Sequence, residues 1–452
     1  MTSARNAANR GKTRAHHDVP VCRSSTFLLP ASRRTLVWVE YLPRIVDDRL
    51  SRLLRAQPAA RLDGPRGCGK TTTALRHAGS ATHLDSSAAM RELAQLDPDR
   101  ILAGTAPRLV DEWRLAPTLW PHLADRLEDR PLPGRYLLAS SATPLSYRHR
   151  TPGADQLPAL QMRTLALAEQ PDAQPQVSLA GLAHGDRVTG VRSRLGYRDL
   201  AGVAVRGGWP ALTDASPEQA AAFNTAYLDD LARVDVAAAV PTRHQPERVR
   251  QLLDTIARQT GRPVSLAGLG NHTAGRLGRD TVRAYLDALT RVHAIEYQPA
   301  WQPPLRTRTR LRHQPRLHLA DPALACAALG LGADEVADQP DQYNAIFTAL
   351  AIHDLRVYLE GTGARLWHYR DETGLAIDAI VEYPDRSWAA LQTCLGEHRL
   401  LDAEIQLHTL IDDRLDLNQT GRPRYLAILT ATTHGHTTRS DTRIIPLPTL
   451  TA

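Results

Sequence analysis

The sequence predicts an α/β protein: a parallel sheet with helices packed on it, then a helical middle, then a mixed α/β end. Three observations carry that reading. Gly64-Pro65-Arg66-Gly67-Cys68-Gly69-Lys70-Thr71 fits G-x-x-x-x-G-K-[ST] at every specified position. From Tyr41 to about Glu169 short apolar runs alternate with helical segments, the pattern of a parallel sheet with crossover helices. From about 197 to 300 the apolar period lengthens to that of helices, and from 313 onward strands return.

Residues 1–38 are rich in Ser, Arg, Asn and Thr, lack an apolar period, and read as a disordered N-terminal extension. The globular pattern begins at Val39-Glu40-Tyr41-Leu42-Pro43-Arg44. Strands are expected at 59–63, 81–85, 108–112, 135–139 and 160–165, with helices at 71–77 and 117–127. The polar run 170–190 suits a linker. Helices follow at 216–240 and 246–259, the second carrying Val249, Leu252, Leu253 and Ile256 on one face. Ser265 caps another, 280–289 forms the next, and a strand at 294–297 completes the order of a winged helix. A helix at 342–360 and strands at 365–369, 375–382 and 388–391 close the chain. The expected domains are 39–185, 186–312 and 313–452.

The loop at 64–71 has a chemical rationale. Lys12 and Lys70 are the only lysines, so 53 of the 55 Lys and Arg residues are arginine. Lysine survives where a compact ammonium must bend back over its own loop to the β- and γ-phosphates, a space too tight for a planar guanidinium. Roughly one chain in a thousand of this composition would carry the motif by chance. It points to ATP, held by Gly64, Pro65, Arg66, Gly67, Cys68, Gly69, Lys70, Thr71 and Thr72, with the Thr71 hydroxyl on Mg²⁺.

Asp111 lies 41 positions after Lys70, at the end of an expected strand in Leu109-Val110-Asp111-Glu112. An acid pair there suits Mg²⁺ coordination by Asp111 and water activation by Glu112. On the next strand Ser140-Ser141-Ala142-Thr143 places hydroxyls near the γ-phosphate, and Ser141 is the candidate sensor. Lys70, Glu112 and Ser141 are thus the expected catalytic group.

The bulk numbers set bounds. Hydrophobic residues make up 42% and charged residues 23%, as in globular proteins. No apolar run approaches the ~18 residues of a membrane helix, and the N-terminus lacks a signal-peptide stretch, so a cytoplasmic location is expected. Cys22, Cys68, Cys326 and Cys394 form no CxxC pair, which argues against zinc and a disulfide framework. The net charge of +7 permits an anionic partner. Arg306, Arg308, Arg310 and Arg312 alternate with Thr and Leu, which on a strand puts four guanidinium groups on one face; the choice lies between a phosphate-backbone contact and a solubilising edge. Arg279 and Arg283 open the expected recognition helix, but Asp280 and Asp287 on it oppose phosphate.

Together the loop, Asp111-Glu112-Trp113, Ser141-Ala142-Thr143-Pro144, Arg206-Gly207-Gly208-Trp209-Pro210, Tyr227-Leu228-Asp229-Asp230 and the run from Gly374 to Glu382 resemble the AAA+-type bacterial and archaeal P-loop ATPases that carry a C-terminal domain of unknown function. The resemblance spans about residues 39–450. It implies a Mg²⁺-dependent ATPase acting as a nucleotide switch, with a winged-helix module and a restriction-endonuclease-like last domain; oligomers are possible. The alternative is a nucleic-acid- or protein-binding scaffold that holds ATP with little turnover. Two departures stand out. The Gly-Arg pair usual before the fifth strand reads Asp155-Gln156, leaving Arg163, Arg148 and Arg150 as substitute fingers. The endonuclease pattern keeps Asp378, helped by Glu382, but has Thr348 on the helix and Gln392 and Cys394 in place of Glu-x-Lys, so no nuclease activity is expected.

Overall fold

Five parallel strands carry the first part of the chain. A computed structural model describes residues 41–129, 131–142, 157–239 and 244–452. The extension expected at 1–38, and Thr143, Arg148, Arg150 and Asp155-Gln156, lie outside these residues. The strands are β1 (Ala59–Asp63), β2 (Ser80–His83), β3 (Arg108–Asp111), β4 (Tyr136–Ser140) and β5 (Ala159–Gln161), in the order β2-β3-β4-β1-β5. Every neighbouring pair is parallel, and β1 lies between β4 and β5. The expected strands are therefore present within a few residues, the fifth shorter than predicted.

Helices α1 (Ile45–Ala56), α2 (Lys70–His77), α3 (Ala88–Leu96), α4 (Pro98–Leu102) and α5 (Leu119–Asp129) accompany this sheet. Helix α1 buries Val46, Arg49, Leu50 and Leu54, a single stripe at helical spacing. Arg49 is buried because it donates to the carbonyls of Val357 and Tyr358. Those carbonyls end a distant helix, where a cation is favoured.

The segment expected as a linker is built into the fold. Val177 and Ser178 form β6, and α6 (Leu179–Ala183) leads to β7 (Val191–Arg192). Two-residue strands carry no period for a sequence reading to detect. Their partners lie at the other end of the chain, described below.

The middle is helical, with α7 (Tyr197–Arg206), α8 (Pro217–Asp230), a π-helical turn (Leu231–Asp235), α9 (Val236–Ala239), α10 (Pro246–Arg258), α11 (Leu266–His272) and α12 (Arg279–Arg291). Ser216 and Gln219 form a capping box at α8, with Pro217 at the first helical position. The Ser265 hydroxyl accepts from the Gly268 N–H at 3.0 Å and starts α11 as the sequence indicates. Strand β8 (Ile295–Gln298) pairs antiparallel with β9 (Arg316–Leu319), so this pair straddles the boundary expected at 312/313.

The last part holds α13 (Pro322–Leu329), α14 (Ala333–Ala337), α15 (Pro340–Leu359), β10 (Arg365–Arg370), β11 (Ala376–Glu382), β12 (Trp388–Cys394), α16 (Leu400–Thr409), α17 (Leu417–Thr420), β13 (Leu426–Thr430), β14 (His434–Thr437), β15 (Thr442–Pro446) and β16 (Leu450–Thr451). A seven-stranded mixed sheet runs β10-β11-β12-β13-β15-β14-β7. Strand β7 joins it through β14, and β6 pairs parallel with β16. Residues Leu42–Ala452 form one compact unit. One of the apolar clusters runs from Leu50, Leu62 and Leu137 through Trp209 and Tyr227 to Leu252 and Leu286, joining one face of the five-stranded sheet to the helices.

Candidate nucleotide site

The site lies at the C-terminal edge of the parallel sheet, where β1, β3 and β4 end. A loop must turn there and return as α2, and its first glycine is forced. An ideal Cβ on Gly64 would lie 2.0 Å from the Met162 carbonyl oxygen. Gly67 and Gly69 hold φ of 81° and 101°, the left-handed region that lets successive N–H groups face one concavity. Lys70 opens α2 and is 5% exposed; its Nζ bends back to the Pro65 carbonyl at 2.9 Å. Cys68 is fully buried with its Sγ toward the Met162 carbonyl at 3.7 Å, so it packs the loop from beneath. Thr72 is exposed on the first turn of α2.

The structure brings the two expected metal ligands together. Thr71 Oγ1 donates to Asp111 Oδ2 at 2.8 Å. Asp111 is 2% exposed, and His83 Nδ1 also sits 3.1 Å from the same oxygen. That hydrogen bond raises the affinity of His83 for its proton. Burial, with Asp111 and Glu112 nearby, pushes the Asp85 carboxyl up. Burial likewise pushes Asp63 up, against its ion pair with Arg61. The sequence reading passed over His83 and Asp85; their place at and just past the end of β2 was the available signal.

Glu112 and Ser141 also meet. Glu112 has φ 51°, ψ 40°, an unusual conformation for a residue with a side chain, at the point where β3 breaks. Its Oε1 accepts from the Ser141 N–H at 3.2 Å. Arg114 spans the pair: its Nε donates to Glu112 Oε2 at 2.8 Å and its Nη2 to Ser141 Oγ at 3.1 Å. Ser140 is turned away, bonding the Ala142 carbonyl at 2.6 Å. Arg114 was missed because nothing in the local sequence distinguishes it from other arginines.

Two more groups frame the loop. Arg44 donates to the Cys68 carbonyl at 2.9 Å and the Arg163 carbonyl at 2.8 Å, and pairs with Glu169 at 3.0 Å. On the other side, Arg66 reaches Asp230 Oδ2 at 3.0 Å and Asp235 Oδ2 at 3.5 Å. The Tyr227 hydroxyl donates to the Arg66 carbonyl at 3.1 Å.

Arg163 does not serve as a free arginine. It is buried and makes two 2.8 Å bonds to Glu296 and a 3.0 Å bond to Glu360. Burial alone would raise the Glu296 carboxyl, but Arg163 and Arg356 outweigh it and hold that group below the usual carboxylate range. The finger role expected as an option for Arg163 is thereby corrected: a guanidinium held by two carboxylates in the interior has no hand left for phosphate.

The arginine row is corrected in form. Residues 306–312 make no strand; they run in a loop between β8 and β9 with isolated bridges at Leu305–Leu415 and Leu311–Asp371. Their backbone bonds go to residues 370–372 and 414, so tertiary contacts hold the segment extended. The alternation survives, with Arg306, Arg308, Arg310 and Arg312 exposed and Leu305, Thr307, Thr309 and Leu311 half-buried. Arg306 pairs with Asp413 at 3.6 Å. Arg279, Asp280, Arg283 and Asp287 are all exposed on α12. A cavity of about 500 Å³ lies between α12, Tyr297 and His313.

Asp378, on β11, has no vacant oxygen. Oδ1 pairs with Arg316 at 3.0 Å; Oδ2 accepts from the Thr393 hydroxyl at 2.7 Å and its N–H at 3.1 Å. Gln392 accepts from the Asp378 N–H at 2.9 Å and Thr348 bonds Thr393 at 2.7 Å. Glu382 holds the Trp367 indole at 3.1 Å. Among the described residues no group of three or more His, Cys, Asp or Glu could hold a metal ion, and no helix is long and apolar enough to cross a membrane.

Comparison with known proteins adds the following. Residues 197–335 match a domain of unknown function (DUF8612). The uncharacterized proteins Rv2008c of Mycobacterium tuberculosis and Mb2031c of Mycobacterium bovis are each 26% identical over 345 residues, covering 75% of this chain and 71% of the relative. Among solved structures, a Walker-type ATPase of Pyrococcus abyssi superposes with a TM-score of 0.40 at 12% identity, over 64% of this chain and 96% of its own. RuvB of Thermotoga maritima gives 0.27 at 18% identity, over 56% and 89%.

Proposed function

We propose that this chain binds ATP with Mg²⁺ and hydrolyses it, using the nucleotide state to set its helical and C-terminal parts. The carrying observation is the convergence at one loop: the glycine nest, Lys70 folded over Pro65, and Thr71 in contact with Asp111 across 40 residues. The N–H groups from Gly67 to Thr71 would cradle the phosphates, and Lys70 would move from a carbonyl to a phosphate oxygen. Thr71 and Asp111 would hold Mg²⁺ through a hydroxyl and a carboxylate, whose oxygens lie 2.8 Å apart. Mg²⁺ there would neutralise phosphate charge. Glu112 would accept the proton of the attacking water, with Ser141 orienting it.

A second reading has its own support. Both oxygens of Glu112 are already engaged, Oε2 by Arg114 at 2.8 Å and Oε1 by the Ser141 N–H at 3.2 Å, so the carboxylate must give up a bond before it can take a proton from water. That favours a protein that holds ATP with slow turnover. Phosphate release by purified protein separates the two: turnover lost in Glu112→Gln supports hydrolysis, and none above background in the native chain supports the scaffold.

We read α10–α12 with β8 and β9 as a winged helix, and the module around Asp378 as a degenerate restriction-endonuclease-like fold with its metal carboxylate neutralised by Arg316. Arg308, Arg310 and Arg312 form the surface on which a nucleic-acid backbone would lie. A cytoplasmic location and assembly into oligomers belong to the same proposal.

A further inference from the structure

We propose that the Arg66 side chain is the group that meets the terminal phosphate of ATP, and that Asp230 and Asp235 hold it in readiness and so couple α8 to the nucleotide. This rests on the ATP reading above and names the arginine which that reading lacks.

Arg66 is part of the phosphate loop, yet its guanidinium leaves the loop for the helical region. It lies between Asp230 at 3.0 Å and Asp235 at 3.5 Å, with its carbon 5.4 Å from the centre of the Tyr227 ring. Tyr227 also binds the Arg66 carbonyl, and its ring lies 4.4 Å from that of Trp209. Trp209 itself backs Gly67, within 3.8 Å of where a Cβ would stand. One end of α8 thus rests on the crown of the loop. Asp235 comes from the π-helical turn that interrupts the helix there, and such turns recur where a helix must place a functional group. Its carboxylate is 17% exposed, and its Oδ2 makes no hydrogen bond in spite of its distance from Arg66.

The clasp is made to be exchanged. Arg66 is 46% and Asp230 52% exposed, and pairs so open to water contribute little. Phosphate oxygens offer the guanidinium shorter, charge-assisted, two-pronged bonds. The charge that attracts Arg66 also repels Asp230 and Asp235, so both effects favour release of the clasp when a triphosphate is in the loop. A diphosphate lacks the outermost group and leaves the clasp closed. Asp230 and Asp235 are therefore positioning residues, acting through Arg66.

The test is calorimetric binding of Mg-ATP and Mg-ADP to the full chain, with hydrogen exchange read over 217–239. In Arg66→Gln, ATP affinity is expected to fall about ten- to a hundred-fold and ADP affinity to stay within about two-fold. Arg66→Lys should fall between, keeping charge and losing the fork. Asp230→Asn with Asp235→Asn should raise the ATP-to-ADP affinity ratio. In the native chain ATP, not ADP, should speed exchange around Tyr227, and Arg66→Gln should remove that difference. Equal loss of ATP and ADP affinity in Arg66→Gln, or no loss, overturns the assignment. If Lys70→Ala abolishes binding of both nucleotides while the Arg66 variants leave their ratio unchanged, this inference fails and the ATP reading stands. If the native chain binds neither, both fall.

Discussion

Two acidic sites sit on strands of two different sheets, and their partners differ in kind. Asp111, at the end of β3, is met by a neutral hydroxyl and a half-exposed imidazole, both of which an entering cation can displace. Asp378, on β11, is met by a buried guanidinium, a hydroxyl and an N–H, and Gln392 is tied to Gln406 beside it. Moving Asp378 onto a metal would leave Arg316 charged and unpaired in the interior, a cost of about 3–5 kcal/mol. The same carboxylate chemistry is thus poised in one place and spent in the other. Displaceability of the partners, more than the presence of an acid at a strand, decides whether a carboxylate is free to take a cation.

The largest effects should appear at the poised site. With ATP at a hundred times its dissociation constant, the native chain should gain about 2.7 kcal/mol of stability. Lys70→Ala should abolish that gain in a thermal melt, and Asp378→Ala should keep it even though the fold itself is weakened. A Lys70→Ala protein stabilised as well as the native one would erase the contrast. Glu112→Gln should retain the gain and lose about 10²–10⁴ in phosphate release.

Next come the locked charges. Arg163→Met leaves Glu360 without its ion pair and Glu296 with Arg356 alone, at 3.6 Å, and should cost about 3–5 kcal/mol by urea unfolding. Were Arg163 instead a finger, the variant would lose turnover at unchanged stability.

Acid sharpens the same comparison through three buried histidines near the junction of β8, β9 and β10. Burial pushes His293 down to about 3 and His368 down to about 4, and lowers His318 as well. Each folded value lies below the ordinary one, so the unfolded chain binds protons first as pH falls. Stability is full above about pH 6.5 and should decline toward pH 4.5 by up to about 1.4 kcal/mol per pH unit for each histidine. Urea midpoints across that range measure it, and His293→Gln should flatten the slope by one proton. A flat profile would mean that these rings are charged in the folded protein.

The smallest expected effect is at the surface. If Arg308 and Arg310 contact a phosphate backbone, reversing both to Glu should weaken duplex binding and reduce its salt slope by about two. Filter binding across a salt series reads this. An unaltered slope would leave the segment as a solubilising cover for the edge strand β10.

Much of the first site was legible because its parts are contiguous. A strand, the loop at 64–69 and a helix opened by Lys70 follow one another within one stretch of chain, so glycine spacing and a rare lysine suffice to predict the turn. Asp111 and Ser141 were reachable because parallel strands in one sheet end at one edge, a rule of topology that needs no side-chain detail. The arginines were not legible. Arg44, Arg66, Arg114, Arg163 and Arg316 look alike in the sequence, yet one braces the loop, one is clasped to a helix, one bridges Glu112 and Ser141, and two are sealed in ion pairs. The same holds for β6 and β7, whose few residues became strands when β16 and β14 supplied their partners. Local spacing determined the glycine-rich loop and its lysine. Packing between residues far apart in the chain decided which charges remain exchangeable, because the strength of an ion pair depends on burial and neighbours that only the folded chain assembles.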